Sequence, residues 1–168
     1  MNPPFSIRDV VASDHQWIHA LNETVVPFVN SIPLSDVERL GNMCHYFRVA
    51  LLGNEPAGFL MAMPPQANYE SGNFRWFVER YPRFAYVDRI VVAESARRSG
   101  TARVLYGDLE RFARENGTPM IVCEVNLRPR NDVSLAFHER LGFRQVGTKE
   151  SGDGTRTLTM LQKELAAG

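Results

Sequence analysis

Residues 86–116, YVDRIVVAESARRSGTARVLYGDLERFAREN, decide how the rest of the chain is organised. They predict a strand, a short basic turn and then a helix. The strand covers 84–92 and ends on the apolar Ile90, Val91 and Val92. The turn holds Arg97, Arg98, Ser99, Gly100, Thr101 and Ala102. In the helix, which reaches Asn116, the residues Ala102, Leu105, Leu109, Phe112 and Ala113 recur at the three- and four-residue steps of one helical face. A helix that opens beside Gly100 and small neighbours leaves its first N–H groups without intrahelical partners. Together with the positive end of the helix dipole they favour an anion. Gly100 has no Cβ to keep a phosphate from the main chain, and Arg97 and Arg98 add guanidinium groups suited to phosphate oxygens.

The totals bound the answer without choosing a chemistry. At 168 residues one domain, 1–168, is expected, with chain enough for a sizeable core. Nineteen basic and nineteen acidic residues cancel, so an anion site must be local, and a nucleic-acid partner finds no support. No apolar run is long enough to span a membrane. The N-terminal MNPPFSIRD lacks the basic-then-apolar order of a signal peptide. Two cysteines, Cys44 and Cys123, make no disulfide framework. A cytoplasmic protein is the expectation.

Along the chain, strands are predicted at 5–9, 46–52, 57–63, 84–92, 120–125, 143–148 and 155–165. Helices are predicted at 15–25, where Asp14 is the expected cap, at 34–40, and at 131–141, where Asn131 or Asp132 caps and Gly142 stops. His15 and His19 lie one helical turn apart, but with no acidic or cysteine partner nearby they read as a solvated face, and no metal is expected. The Pro-, Asn- and aromatic-rich connection at 64–82 is long for a compact domain. Its Phe74, Trp76, Phe77 and Tyr81 suit either a helical lid walling an acceptor or a satellite core. Ala166, Ala167 and Gly168 are expected to fray.

Neither a P-loop nor a dinucleotide fingerprint is present. The turn instead resembles motif A of the GNAT superfamily of N-acetyltransferases, Arg/Gln-x-x-Gly-x-Gly/Ala after a strand, with Arg97, Gly100 and Ala102 in its defined places. Asn131, Ser134, Phe137, His138, Leu141, Gly142 and Phe143 resemble motif B, with Ser134 in place of alanine and His138 where the family usually has tyrosine. The two motifs cover the second half of the chain. The resemblance implies an α/β fold with a mixed, mostly antiparallel sheet, helices on both faces, and a parallel, splayed fourth and fifth strand. It also implies acetyl-CoA as cosubstrate, its pyrophosphate on Arg97, Arg98, Ser99, Gly100, Thr101 and Ala102, and its pantetheine arm along Ile90, Val91 and Val92. Asn131, Ser134 and Phe137 complete the implied coenzyme site.

Acetyl transfer to an amine needs a group to take the ammonium proton. Glu124, a carboxylate ending an otherwise apolar run, is the expected base; the alternative is that it pairs with an arginine such as Arg89. Glu124-Val125 resembles the Glu-Val of ribosomal-protein N-acetyltransferases, although the loop to Asn131 is longer here. His138 is either an acid that protonates the departing thiolate or a packed ring. Tyr86, Asp88 and Trp76 are expected near the acceptor, with an internal Asp88–Arg89 ion pair the alternative for Asp88. The acceptor expected is a small amine or amino acid derivative. A protein N-terminus or lysine, a non-catalytic acyl-CoA-binding module and a homodimer stay open.

Overall fold

The computed structural model describes residues 4–166. Seven strands and five helices alternate: β1 (Phe5–Asp9), α1 (His15–Glu23), α2 (Leu34–Gly41), β2 (Tyr46–Leu52), β3 (Glu55–Met63), α3 (Gly72–Val78), β4 (Ala85–Val92), α4 (Thr101–Glu115), β5 (Met120–Arg128), α5 (Asp132–Leu141), β6 (Arg144–Glu150) and β7 (Thr157–Glu164). Short 3-10 turns at Ala12–Asp14 and Glu94–Ala96 precede α1 and the basic turn. The strands form one sheet in the order β1-β2-β3-β4-β5-β7-β6, mostly antiparallel and flanked by helices. Strands β4 and β5 are parallel, in register at Ala85↔Ile121 and Tyr86↔Val122. A fifteen-residue helix, α4, makes the crossover between them, as a parallel pair requires. The fold class is as the resemblance implies.

By contacts the described residues form two compact units. One holds the chain up to Met63 together with Val87–Phe112, and the other holds Pro64–Tyr86 and everything from Ala113.

In the first unit β1 pairs with β2 from Phe5↔Leu52 to Asp9↔Arg48, and β2 turns back on β3 through Gly53, whose φ of 63° needs a residue without Cβ. Val49, Phe59, Leu60, Met61, Leu105 and Leu109 are buried. The Asp108 carboxylate of α4 is buried too; it accepts from Tyr46 Oη at 2.7 Å and from Arg48 at 2.8 Å. Gly58 of β3 lets the chain close tightly: a Cβ there would lie 2.6 Å from the Val91 carbonyl oxygen and 3.3 Å from Thr101 Cγ2.

In the second unit β5 pairs with β7 and β7 with β6, both antiparallel. Phe74 and Phe77 of α3 pack on Phe84 and Tyr86. The Trp76 indole lies over Gly147 of β6, where a Cβ would fall 2.6 Å from Cζ2.

Two local expectations change. Asp14 stands at the N-cap of α1 but makes no capping bond. Its carboxylate instead binds Arg8, the Val11 N–H and the Trp17 indole. Strand β5 runs on to Arg128, because Asn126 and Arg128 keep β7 partners at Leu158 and Thr157. The connection at 64–82 contains the helix α3, whose aromatic side chains form a packed cluster. Of the tail expected to fray, 167 and 168 lie outside the described residues.

Candidate active site

The basic turn joins β4 to α4 within the first unit. The backbone of Arg98 is left-handed, with φ 67°, and Gly100 follows at φ 94°. The Ala96 carbonyl accepts from the Ser99 N–H at 3.3 Å, from the Ser99 hydroxyl, and from the Thr101 hydroxyl at 3.4 Å. This knots the turn beneath the start of α4. The first N–H of α4 with a main-chain acceptor is that of Val104, which reaches Gly100 at 3.0 Å. Among the described residues no acceptor meets the N–H groups of Arg98, Gly100, Thr101, Ala102 or Arg103. Arg97, Arg98, Ser99 and Gly100 are exposed, and a Cβ at Gly100 would meet nothing within 4 Å. Open space over uncovered donors, in a turn that also carries the exposed Arg97 and Arg98, is a setting that favours an anion.

Asp88 and Arg89 lie further back on β4. Their side chains are each 5% exposed, and Arg89 Nε donates to Asp88 at 2.7 Å. Arg89 Nη1 also donates to Asn22 Oδ1 at 2.9 Å and to the Asn30 carbonyl at 3.4 Å. The internal ion pair weighed for Asp88 is therefore formed, between consecutive residues whose Cβ atoms leave opposite faces of the strand.

In the second unit Glu124 sits on β5 opposite Met160 of β7. Its Oε1 accepts from Tyr86 Oη at 2.8 Å and from Asn73 Nδ2 at 3.2 Å. The structure thus brings together Glu124 and Tyr86, expected as base and acceptor contact. Trp76, the other expected acceptor contact in this unit, is half-buried, with Arg80 stacked 3.7 Å from its ring centroid.

Motif B forms α5 with both ends tied. Asn131 Oδ1 accepts from the Ser134 N–H at 3.3 Å. Gly142 ends the helix at φ 97°, and the Phe143 N–H returns to the His138 carbonyl at 3.0 Å. Phe137 is half-buried. His138 is 4% exposed, its ring set edge-on to Phe137 and Phe143 at 5.5 and 5.2 Å. Its Nδ1–H donates to the Ser134 carbonyl at 2.7 Å. Burial pushes the imidazole pKa down, partly offset by that carbonyl, so the neutral ring is favoured.

The model of the acetyltransferase (GNAT) family matches residues 13–143. The chain belongs to the GNAT acetyltransferase family. GNAT enzymes use acetyl-CoA as cosubstrate. Three solved structures illustrate the shared fold. The ribosomal-protein-S18-alanine N-acetyltransferase from Escherichia coli is 14% identical with a TM-score of 0.75, covering 98% of this chain and 96% of that one. Ard1 from Thermoplasma volcanium is 16% identical with a TM-score of 0.78, covering 96% and 97%. Ribosomal-protein-alanine N-acetyltransferase from Brucella melitensis is 22% identical with a TM-score of 0.70, covering 95% and 99%. At such identities the likeness concerns the fold. No curated protein sequence matches the chain significantly.

Among the described residues, no group of three or more His, Cys, Asp or Glu is placed to hold a metal, and no helix is long and apolar enough to cross a membrane. His19 is engaged with the Ile32 carbonyl at 2.8 Å. Sequence reasoning missed two residues of this GNAT domain. Gly58 carried a signal, an isolated glycine inside a strand pattern, which marks a close approach of backbone. Asn73 carried none, since its partner lies 51 positions away.

Proposed function

We propose that this GNAT chain moves the acetyl group of acetyl-CoA to a primary amine in one direct, sequential transfer. The observation that carries the reading is the run of uncovered N–H groups around Gly100, in a chain whose family uses acetyl-CoA. In this reading the main chain of Arg98–Arg103, with Arg97 and Arg98, grips the pyrophosphate. The main chain of Ile90, Val91 and Val92 takes the pantetheine arm as a neighbouring strand would, and one of its N–H groups holds the thioester oxygen as negative charge grows there. Asn131, Ser134 and Phe137 complete the coenzyme contacts.

Acetyl-CoA brings an activated thioester; the protein must deliver a neutral amine to it. Glu124 is the base. Its donors, Tyr86 and Asn73, both stabilise the carboxylate form that can accept the ammonium proton. His138 is a packed ring in this reading. Its one proton at Nδ1 is held by Ser134, and burial opposes the imidazolium that an acid would need. A thiolate leaves without such help. Tyr86 and Trp76 contact the acceptor in this reading, while Asp88 is held in its ion pair with Arg89, and the acceptor is a small amine or amino acid derivative. The aromatic packing of the connection at 64–82 supports an enclosed acceptor over a long peptide.

The test is thiol release from acetyl-CoA with ethanolamine, spermidine, L-alaninamide and an alanine-leading tripeptide. Release with the small amines is expected. Release with the peptide alone would move the acceptor to protein N-termini. Coenzyme-dependent thermal stabilisation without release from any amine would make the chain a binder. Gly100→Glu should abolish coenzyme binding, and normal affinity in that variant would place the cradle elsewhere.

A further inference from the structure

We propose that Asn73 is a positioning residue for Glu124, through which helix α3 sets the orientation of the base. The inference rests on the reading of Glu124 as that base. Asn73 Nδ2 and Tyr86 Oη both donate to the same oxygen, Oε1, at 3.2 and 2.8 Å. Two donors from different elements on one oxygen fix the carboxylate plane in a way that a single bond cannot. A neutral amide also keeps its donor at every pH the enzyme meets.

The helix carrying Asn73 is itself seated from three directions. The Ser71 hydroxyl accepts from the Phe74 N–H at 3.4 Å and starts the helix two residues before Asn73. Phe74 and Phe77 lie 5.3 and 5.9 Å from the Tyr86 ring, so α3 also clamps the second donor. Trp76 lies against Gly147, where even a Cβ would clash. A displacement of α3 therefore moves both hydrogen bonds to Glu124 together. The connection at 64–82 thus acts on the base itself.

The experiment is a double-mutant cycle on kcat/KM, using the amine of the four-member panel that responds best. Asn73→Ala should lower kcat/KM about tenfold in the wild-type background. It should have no further effect in a Glu124→Gln background, and the KM for acetyl-CoA should not change. Asn73→Asp, the same shape with no donor and a like charge, should fall below Asn73→Ala. Equal losses in both backgrounds would make Asn73 a structural residue of α3 and overturn the proposal. Normal turnover in Asn73→Ala with impaired Glu124→Gln would overturn it and leave the base in place. Wild-type turnover in Glu124→Gln would remove the base reading and the inference with it. If no amine turns over, a 13C NMR titration of the Glu124 carboxyl decides. Its midpoint should rise in Asn73→Ala, because a donor to the charged form is lost, and an unchanged midpoint overturns the proposal.

Discussion

Arg89 Nε donates to the Asp88 carboxylate at 2.7 Å, with both side chains 5% exposed, although the two residues are consecutive in β4. Arg89 also reaches Asn22 on α1 and the Asn30 carbonyl in the α1–α2 connection. One buried guanidinium therefore serves the ion pair and a loop carbonyl at once. Removing it leaves a carboxylate in a low-dielectric setting without its cation. We expect Arg89→Met to lower unfolding stability by about 3 kcal/mol. The double variant Asp88→Asn, Arg89→Met should recover much of that loss, because the stranded charge is gone. Urea melts of the wild type, Arg89→Met, Asp88→Asn and the double variant measure this. Additive losses would show that the two side chains are not energetically coupled.

Gly58 makes a second tight contact in the same unit. A Cβ would stand 2.6 Å from the Val91 carbonyl oxygen and 3.3 Å from both Val92 Cα and Thr101 Cγ2. Carbonyl oxygens of a paired strand do not give way cheaply, so the end of β4 or the start of α4 must shift. Gly58→Ala should cost about 1–3 kcal/mol of stability. Because Val92 and Thr101 flank the basic turn, coenzyme affinity should fall more than the thermal midpoint alone suggests. Calorimetric titration with coenzyme A at a temperature where the variant is fully folded separates the two. Unchanged affinity would mean that the N–H cradle tolerates movement of its supports.

Local chemistry made much of this molecule legible from residues alone. Helix α4 showed itself through its apolar face, and α5 through the Asn131 cap and the Gly142 stop. Each depends on residues within a few positions of one another. What stayed hidden depends on distant partners. Asp14 has the right chemistry for a cap, but Arg8, Val11 and Trp17 compete for its carboxylate and win. Glu124 accepts from a tyrosine and an asparagine that lie far from it in sequence, and Arg89 binds its own neighbour. Strand β5 outran its apolar run because β7 pairs with the polar Asn126 and Arg128.

His138 offers a clean discrimination. An acid that protonates the leaving group typically contributes a hundredfold or more in rate, and it imposes its own limb on the pH profile. A buried imidazole whose pKa is pushed down by burial, with its Nδ1 proton committed to the Ser134 carbonyl, has no proton to spare near neutral pH. We expect His138→Ala to keep kcat close to wild type and the shape of its pH profile unchanged. The thermal midpoint should drop, since a ring packed between Phe137 and Phe143 is lost. A vanished basic limb in kcat would restore the histidine to the chemistry.

Asp14 ties stability to acidity. Its carboxylate accepts from Arg8 at 2.7 and 3.0 Å, from the Val11 N–H at 2.9 Å and from Trp17 Nε1 at 3.2 Å. The Arg8 bonds lead in holding its pKa down to about 2, against the opposing effect of burial. A carboxylate depressed on folding stabilises the native state fully above its unfolded value, near 4, and ceases to do so as pH falls through about 2. Arg8 is 43% exposed, so solvent screens its part of the attraction. Asp14→Asn should therefore cost about 1–2 kcal/mol at neutral pH, less than an unscreened shift of this size implies. The gap between the two proteins should hold down to about pH 4 and then narrow towards about pH 2. Added salt should remove only the Arg8 share, leaving the Val11 and Trp17 bonds in force. Urea melts across that range measure it, and a gap that stays constant with pH would show that the loss comes from packing rather than from the carboxylate charge.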